Sequence, residues 1–212
     1  MSGINEWIVR EYFEILGYMV IQPRKYVVPG KQKTAEEEVD LLIINPRVSE
    51  QRLPEHLVWT TDDLKSVARA VVGVRGGHTG TFYGSTFEQT PDILRFTEPA
   101  SLHFAERYLG PGPLAKILCL PKLPGSGEIK EKSVKVLKKK GVDGVVAFET
   151  ILAELVARVD KNRNYEKSDL LQIIRILKNY DFLKDSQMDL FLHKRRRRAA
   201  RGPEKDEGPV VA

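Results

Sequence analysis

An α/β protein, its buried strands alternating with helices, is what this sequence predicts. Two short apolar runs, Leu41-Leu42-Ile43-Ile44 and Ala70-Val71-Val72, are nearly continuous in aliphatic residues, the pattern of strands buried on both faces. Comparable runs at 117–120 and 145–148 alternate with stretches of helical period at 101–108, 130–140 and 150–159, and such alternation argues for parallel strands in an α/β layer. With 212 residues and 42% hydrophobic content, the chain can bury a substantial core.

The elements follow in order. Residues 5–16, with Ile4 before them, place Ile4, Ile8, Tyr12, Ile15 and Leu16 on one side and Arg10 and Glu14 opposite, at about 100° per residue, which predicts an amphipathic helix. Gly17 is a natural stop. Residues 18–21 and 26–28 read as a strand or hairpin arm, interrupted by Pro23 and turned at Pro29-Gly30. A strand over 38–44 is closed by Asn45-Pro46. Leu57-Val58-Trp59 is a short apolar run, 62–66 a helical turn, 68–74 a strand ending in glycines and 76–90 a loop. A periodic helix over 168–183, carrying Leu170, Leu171, Ile173, Ile174 and Leu177, reads as a core or dimer element. This organisation divides the chain into a core over 1–125, an α/β and helical extension over 126–192 packed on it, and a basic tail over 193–212 that has nothing to bury and is expected to be disordered.

The formal net charge of +5 suggests a polyanionic partner until it is divided along the chain. From Lys194 onward it is +4, leaving +1 for the remaining residues, so the overall charge says little about the folded part. No apolar run reaches the roughly 18 residues of a membrane span, and the start is amphipathic instead of signal-like. The single cysteine, Cys119, lies in an apolar run and reads as a buried reduced thiol. Cytoplasmic location without membrane association is the expectation.

The sharpest local feature is Glu36-Glu37-Glu38-Val39-Asp40 opening the run Leu41 to Ile44. An unpaired carboxylate inside such a strand is costly, so Asp40 needs either a site role or an ion pair, with Arg24 or Lys25 the nearby cations. A second strand ends at Gly73-Val74-Arg75-Gly76, and Glu6 lies on the first helix eleven residues before Gly17-Tyr18. At about 100° per residue Glu6 projects about 20° from Phe13, at the border of the apolar arc, whereas Glu14 points outward.

These residues and this order of elements resemble the restriction-endonuclease-like superfamily, whose motif is written PD-(D/E)xK. The resemblance covers roughly residues 4–120. It implies an αβββαβ core with a mixed central sheet flanked by helices, in which Asp40 stands for the acidic residue opening a strand, Glu6 for the glutamate of the first helix, and Gly73-Val74-Arg75 for the acidic-x-lysine pair. That last match is degenerate, since Gly73 supplies no carboxylate. Active members of such a family use a hard cation, Mg²⁺, held by carboxylate oxygens to activate water and steady the scissile phosphate. Here Asp40 and Glu38, two residues apart and on one strand face, would be its ligands, with Glu6 as a further candidate. Arg75 cannot serve as a base, although its guanidinium can grip a phosphate. His78 either shuttles a proton or is simply solvated. The stretch 85–95, with Phe87 and Pro91, either covers the site or connects elements.

The functional expectation is a nucleic-acid-binding protein, DNA favoured, on a nuclease scaffold whose metal-dependent phosphodiesterase site is degenerate and weak or inactive. Arg195, Arg196, Arg197 and Arg198 would add a nonspecific arm for phosphate backbones. Two alternatives stand beside it. One is an active Mg²⁺-dependent endonuclease with a relocated site built from Glu6, Glu38, Asp40 and Arg75. The other is a protein-interaction or homodimerisation module on the same scaffold.

Overall fold

The computed structural model describes residues 3–24, 38–76, 80–125 and 127–183. The chain divides into two units, Met1–Arg158 and Val159–Ala212. In the first, helix α1 (Gly3–Ile15) leads to strands β1 (Met19–Ile21) and β2 (Leu41–Ile44), a helical turn α2 (Thr61–Leu64) and strand β3 (Arg69–Val74). Three helical segments follow, α3 (Gly84–Gln89), a 3₁₀ helix (Pro91–Thr97) and α4 (Pro99–Leu109), before strand β4 (Ala115–Leu120), helix α5 (Gly127–Lys139), strand β5 (Gly144–Ala147) and helix α6 (Phe148–Arg158).

The strands form one sheet in the order β1-β2-β3-β4-β5. β1 pairs with β2 antiparallel, Ile21 opposite Leu42, and β2 with β3 antiparallel, Leu41 opposite Val72. β4 and β5 are added in parallel, with Gly73 opposite Leu118 and Leu118 opposite Val145. The protein is thus an α/β structure with a five-stranded mixed sheet flanked by helices. Residues Leu57 to Trp59 add a short edge beside β5: Trp59 N–H donates to the Val145 carbonyl at 2.8 Å, and Val145 N–H to the Leu57 carbonyl at 2.7 Å.

Because side chains alternate across a strand, the sheet has two apolar faces. Leu42, Val71, Leu118, Leu120 and Val145 join a core with Phe87, Leu94, Phe96, Phe104 and Leu137 from the helices between β3 and β5. Residues of the other parity, Leu41, Ile43, Ala70, Val72, Ile117, Cys119 and Val146, are equally buried, on the side where α1 packs against β2, β3 and α6. Coverage on both faces is why these strands read as continuous apolar runs.

The structure corrects the sequence reading of α1. Its buried side is Asn5, Glu6, Val9, Glu11, Tyr12 and Phe13, while Ile4 is 70% exposed. The inward face therefore keeps Tyr12 but is rotated away from Ile4 and Ile8 toward Val9 and Phe13, the latter a large ring that buries more area than the aliphatic residues it displaces. Gly17 ends the helix at a φ of 92°, and Tyr18 N–H returns to the Phe13 carbonyl at 3.0 Å, a left-handed stop that glycine adopts without strain. The 76–90 segment, expected as a loop, contains α3. The expected arm at 26–28 lies outside the described residues.

The second unit is described over 159–183. Its helix α7 (Asp169–Asn179) starts at Ser168, whose hydroxyl accepts from Leu171 N–H at 3.2 Å, as an N-cap serine does. Buried Lys178 donates from Nζ to the Val159 carbonyl at 2.9 Å, tying the helix end to the start of the unit.

Candidate functional site

The antiparallel pairing of β1, β2 and β3 brings the end of β1, the mouth of β2 and the end of β3 to one edge of the sheet. Four of the residues singled out by sequence, Glu6, Glu38, Asp40 and Arg75, meet there. Asp40 stands just before β2 with its backbone N–H on the Val72 carbonyl at 3.3 Å, so the ladder holds it opposite the end of β3. Its Oδ2 accepts two hydrogen bonds of 2.6 Å, one from Val74 N–H and one from Arg75 Nη1. Both side chains are largely shut from solvent, 5% exposed for Asp40 and 17% for Arg75. A cation at Asp40 is Arg75; of the two expected from sequence, Arg24 is exposed and Lys25 lies outside the described residues.

Arg75 is fixed on several sides. Nε donates to the Ile93 carbonyl at 2.9 Å, Nη1 also reaches the Val74 carbonyl at 2.9 Å, and the guanidinium carbon lies 5.8 Å from the centre of the Phe96 ring. Phe96 is fully buried, and its ring lies against Gly73: a Cβ built on Gly73 would be 2.6 Å from the nearest ring carbon. An acidic side chain at position 73 has no room in this arrangement. The 3₁₀ helix thus closes the place where the resemblance expected a carboxylate.

Glu38, the second expected metal ligand, is buried, and its Oε1 has no hydrogen-bond donor among the described residues. Arg95 Nη1 faces it at 3.6 Å while Arg95 Nε pairs with Asp92 at 3.0 Å. Glu6 is also buried and accepts from Gln22 Nε2 at 2.8 Å, which links α1 to the end of β1. Its neighbour Asn5 packs on Gly76, where an added Cβ would meet the Asn5 amide nitrogen. Glu6, Glu38, Asp40 and Arg75 accordingly share one edge, but each carboxylate is engaged by its own side chain: Gln22, Arg95 and Arg75 in turn. His78 and Arg195 to Arg198 lie outside the described residues.

Cys119, on β4 beside this edge, is fully buried; burial pushes its thiol well above the usual range and the Asp40 carboxylate adds to the effect. It is therefore a neutral packing group rather than a nucleophile.

The donor set does not fit a hard divalent cation. Mg²⁺ takes oxygen ligands in a near-octahedral arrangement. Here one oxygen of Asp40 is committed to a guanidinium and a backbone N–H, and Glu38 faces a second guanidinium. Among the described residues no three His, Cys, Asp or Glu side chains are grouped to hold a metal. Two fixed positive charges stand where a cation's charge would be needed.

Phe96 and Arg95 are the site residues that the sequence reading missed. A signal for Phe96 was present in Gly73, since an isolated glycine inside a β-branched strand marks close approach by another group. Nothing local in the sequence identifies Arg95 as the neighbour of Glu38. An open cleft of about 430 Å³ in the same unit lies at the opposite edge of the sheet, lined in part by Asn45, Ser49, Gln51, Arg69 and Pro113.

Comparison of the chain with protein-family models, curated proteins and solved structures found no match. The described helices include none long and apolar enough to cross a membrane.

Proposed function

We propose that the first unit is a restriction-endonuclease-like scaffold that binds nucleic acid, DNA favoured, and does not hydrolyse it. The order helix, three-stranded antiparallel meander, helices and then a parallel strand supports this reading, because the αβββαβ core implied by the resemblance has its elements in a similar sequence. Asp40 and Arg75, far apart in sequence and flanking the two strands that the resemblance assigns to the motif, are in direct contact.

The observation that carries the reading is the 2.6 Å pair between Asp40 and Arg75, with Phe96 seated on Gly73. In an active nuclease the carboxylate's charge is answered by a cation that also binds water and phosphate. In this chain it is answered internally by a guanidinium that can supply neither a water nucleophile nor a base. The basic run Arg195 to Arg198 is proposed to assist binding through the phosphate backbone.

The test is retardation of duplex DNA, single-stranded DNA and RNA by the full chain at low salt, with Mg²⁺ and Mn²⁺ present. Retarded, intact nucleic acid is the expected result. Failure to retard any of them overturns the binding assignment. Metal-dependent cleavage that disappears in Asp40→Asn overturns the inactive one and establishes the relocated nuclease site instead.

A further inference from the structure

Charge among the described residues of the first unit is balanced in total and uneven in place. Its described residues hold eighteen Lys and Arg against eighteen Asp and Glu. Six of the cations, Lys130, Lys132, Lys135, Lys138, Lys139 and Lys140, fall in and just after α5 with Glu131 alone among them, so 130–140 carries +5 and the other described residues −5.

The local structure turns these lysines outward. α5 faces the core with Ser133 and Leu137 buried and with Val134 and Val136 packed against the sheet-facing cluster. Lys132, Lys135, Lys138, Lys139 and Lys140 are exposed. Lys132, Lys135 and Lys139 follow i, i+3, i+7 spacing, a single stripe about 10 Å long at about 1.5 Å per residue. Ion pairing consumes little of it: Lys132 is 4.0 Å from exposed Glu128, and Lys138 Nζ donates to the Glu55 carbonyl at 2.9 Å. Cations in a last turn complement the helix dipole, which accounts for Lys138 and Lys139. It does not account for Lys135 and Lys132, one and two turns further in. The opposite helix layer has no such surplus, because Arg10 and Arg158 are each paired to a glutamate one turn away.

We propose that the exposed lysine face of α5 is where the chain docks the phosphate backbone of a duplex nucleic acid. This rests on the nucleic-acid reading above and gives it a location, one that Arg75, committed to Asp40, does not provide. Lysine ammonium groups are point charges without the guanidinium fork, so such a face grips phosphates without reading bases. A lipid surface suits it less. A helix that lies in a headgroup layer presents an apolar side to the membrane, whereas the apolar side of α5 is spent on the core and Ile129 is its one exposed large hydrophobic residue.

The experiment is a fluorescence anisotropy titration of the full chain onto a short mixed-sequence DNA duplex across a salt series. Wild type is compared with Lys132→Gln/Lys135→Gln/Lys139→Gln and with a variant in which Arg195 to Arg198 are all glutamine. The triple lysine variant is expected to keep its circular dichroism and melting profile, to bind more weakly at low salt, and to lower the slope of log K against log salt by about 2.7, or about 0.9 for each phosphate that is no longer neutralised. An unchanged slope overturns the α5 assignment while leaving nucleic-acid binding intact, and so does a loss confined to the tail variant. No binding by wild type to the duplex overturns the reading beneath it as well. Wild-type binding to anionic vesicles or to an acidic peptide, with none to duplex, reassigns the face to that partner and likewise overturns the proposal.

Discussion

Arg69 and Arg75 stand at the two ends of β3, and both are anchored by backbone carbonyls, but only Arg75 faces a carboxylate. Arg69 donates from Nη1 to the carbonyls of Leu109 and Gly110 at 2.8 and 3.1 Å, and from Nη2 to that of Pro111 at 3.0 Å. It clasps the turn between α4 and β4 beside the open cleft, where water can replace its bonds. Arg75 is folded into the protein with its counter-charge, Asp40. One arginine holds a loop at the surface, whereas the other neutralises a buried charge. Strand position therefore does not determine what an arginine does; the partner and the access of water do.

The largest effect should come from breaking the buried pair. Asp40→Ala leaves the Arg75 guanidinium without its carboxylate, and removing one partner of a buried pair costs about 3–5 kcal/mol. Urea denaturation of the full chain measures it. Asp40→Leu/Arg75→Met, which removes both charges for apolar volume, should recover most of the loss. A single-variant loss below about 1 kcal/mol would mean that the pair is solvated like Arg69, and the contrast between the two ends would collapse.

Next in size is Gly73→Glu, which puts a carboxylate where the resemblance expected one. The new side chain meets the Phe96 ring, and overpacking of this kind costs about 1–3 kcal/mol. Gly73→Glu in a Phe96→Ala background is the sharper test. The clash term should vanish, so the cost of the glutamate in that background should be smaller than in wild type. Equal costs in both backgrounds would show that Phe96 does not fill the space that a side chain at position 73 needs.

How far the sequence reached can be judged from the same residues. The strands were legible because burial on both faces makes Leu41 to Ile44 and Ala70 to Val74 continuous apolar runs. Asp40 was legible as a residue requiring a partner because a carboxylate at such a position is costly alone. Its partner was not, because pairing Asp40 with Arg75 depends on the antiparallel register of β2 and β3, which no local pattern encodes. The inward face of α1 is only partly legible because Ile4 and Ile8 dominate a hydropathy count, whereas packing selected Phe13 beside the expected Tyr12, their rings meeting edge to face at 5.3 Å. Phe96 arrived on a 3₁₀ helix with neither strong periodicity nor a long apolar run, leaving Gly73 as its only trace.

A smaller effect is expected at the other end of β3. Arg69→Ala removes hydrogen bonds from a charged group to carbonyls that water can reach, for a loss of about 1–2 kcal/mol. β3 separates Arg69 from Arg75 by about 20 Å at about 3.3 Å per residue, so the losses from Arg69→Ala and Asp40→Ala should add within about 0.5 kcal/mol. Hydrogen exchange should show faster opening of residues 109–115 in Arg69→Ala and no change around Asp40. Clear non-additivity would mean that the two ends of the strand belong to one network.

The smallest effect, with the opposite sign, is predicted for Glu38, a neighbour of Asp40 in space and sequence. Asp40 has well-aligned donors at 2.6 Å, whereas Glu38 has Arg95 at 3.6 Å and an Oε1 with no described donor. A buried charge with imperfect partners is often replaced by an apolar side chain at no loss. Arg95 would keep its bond to Asp92 at 3.0 Å and, being partly exposed, its access to water. Glu38→Met should therefore leave stability within about 1 kcal/mol of wild type or raise it, as read by the urea midpoint. A loss above about 2 kcal/mol would place a strong donor on Oε1 and make Glu38 the equal of Asp40.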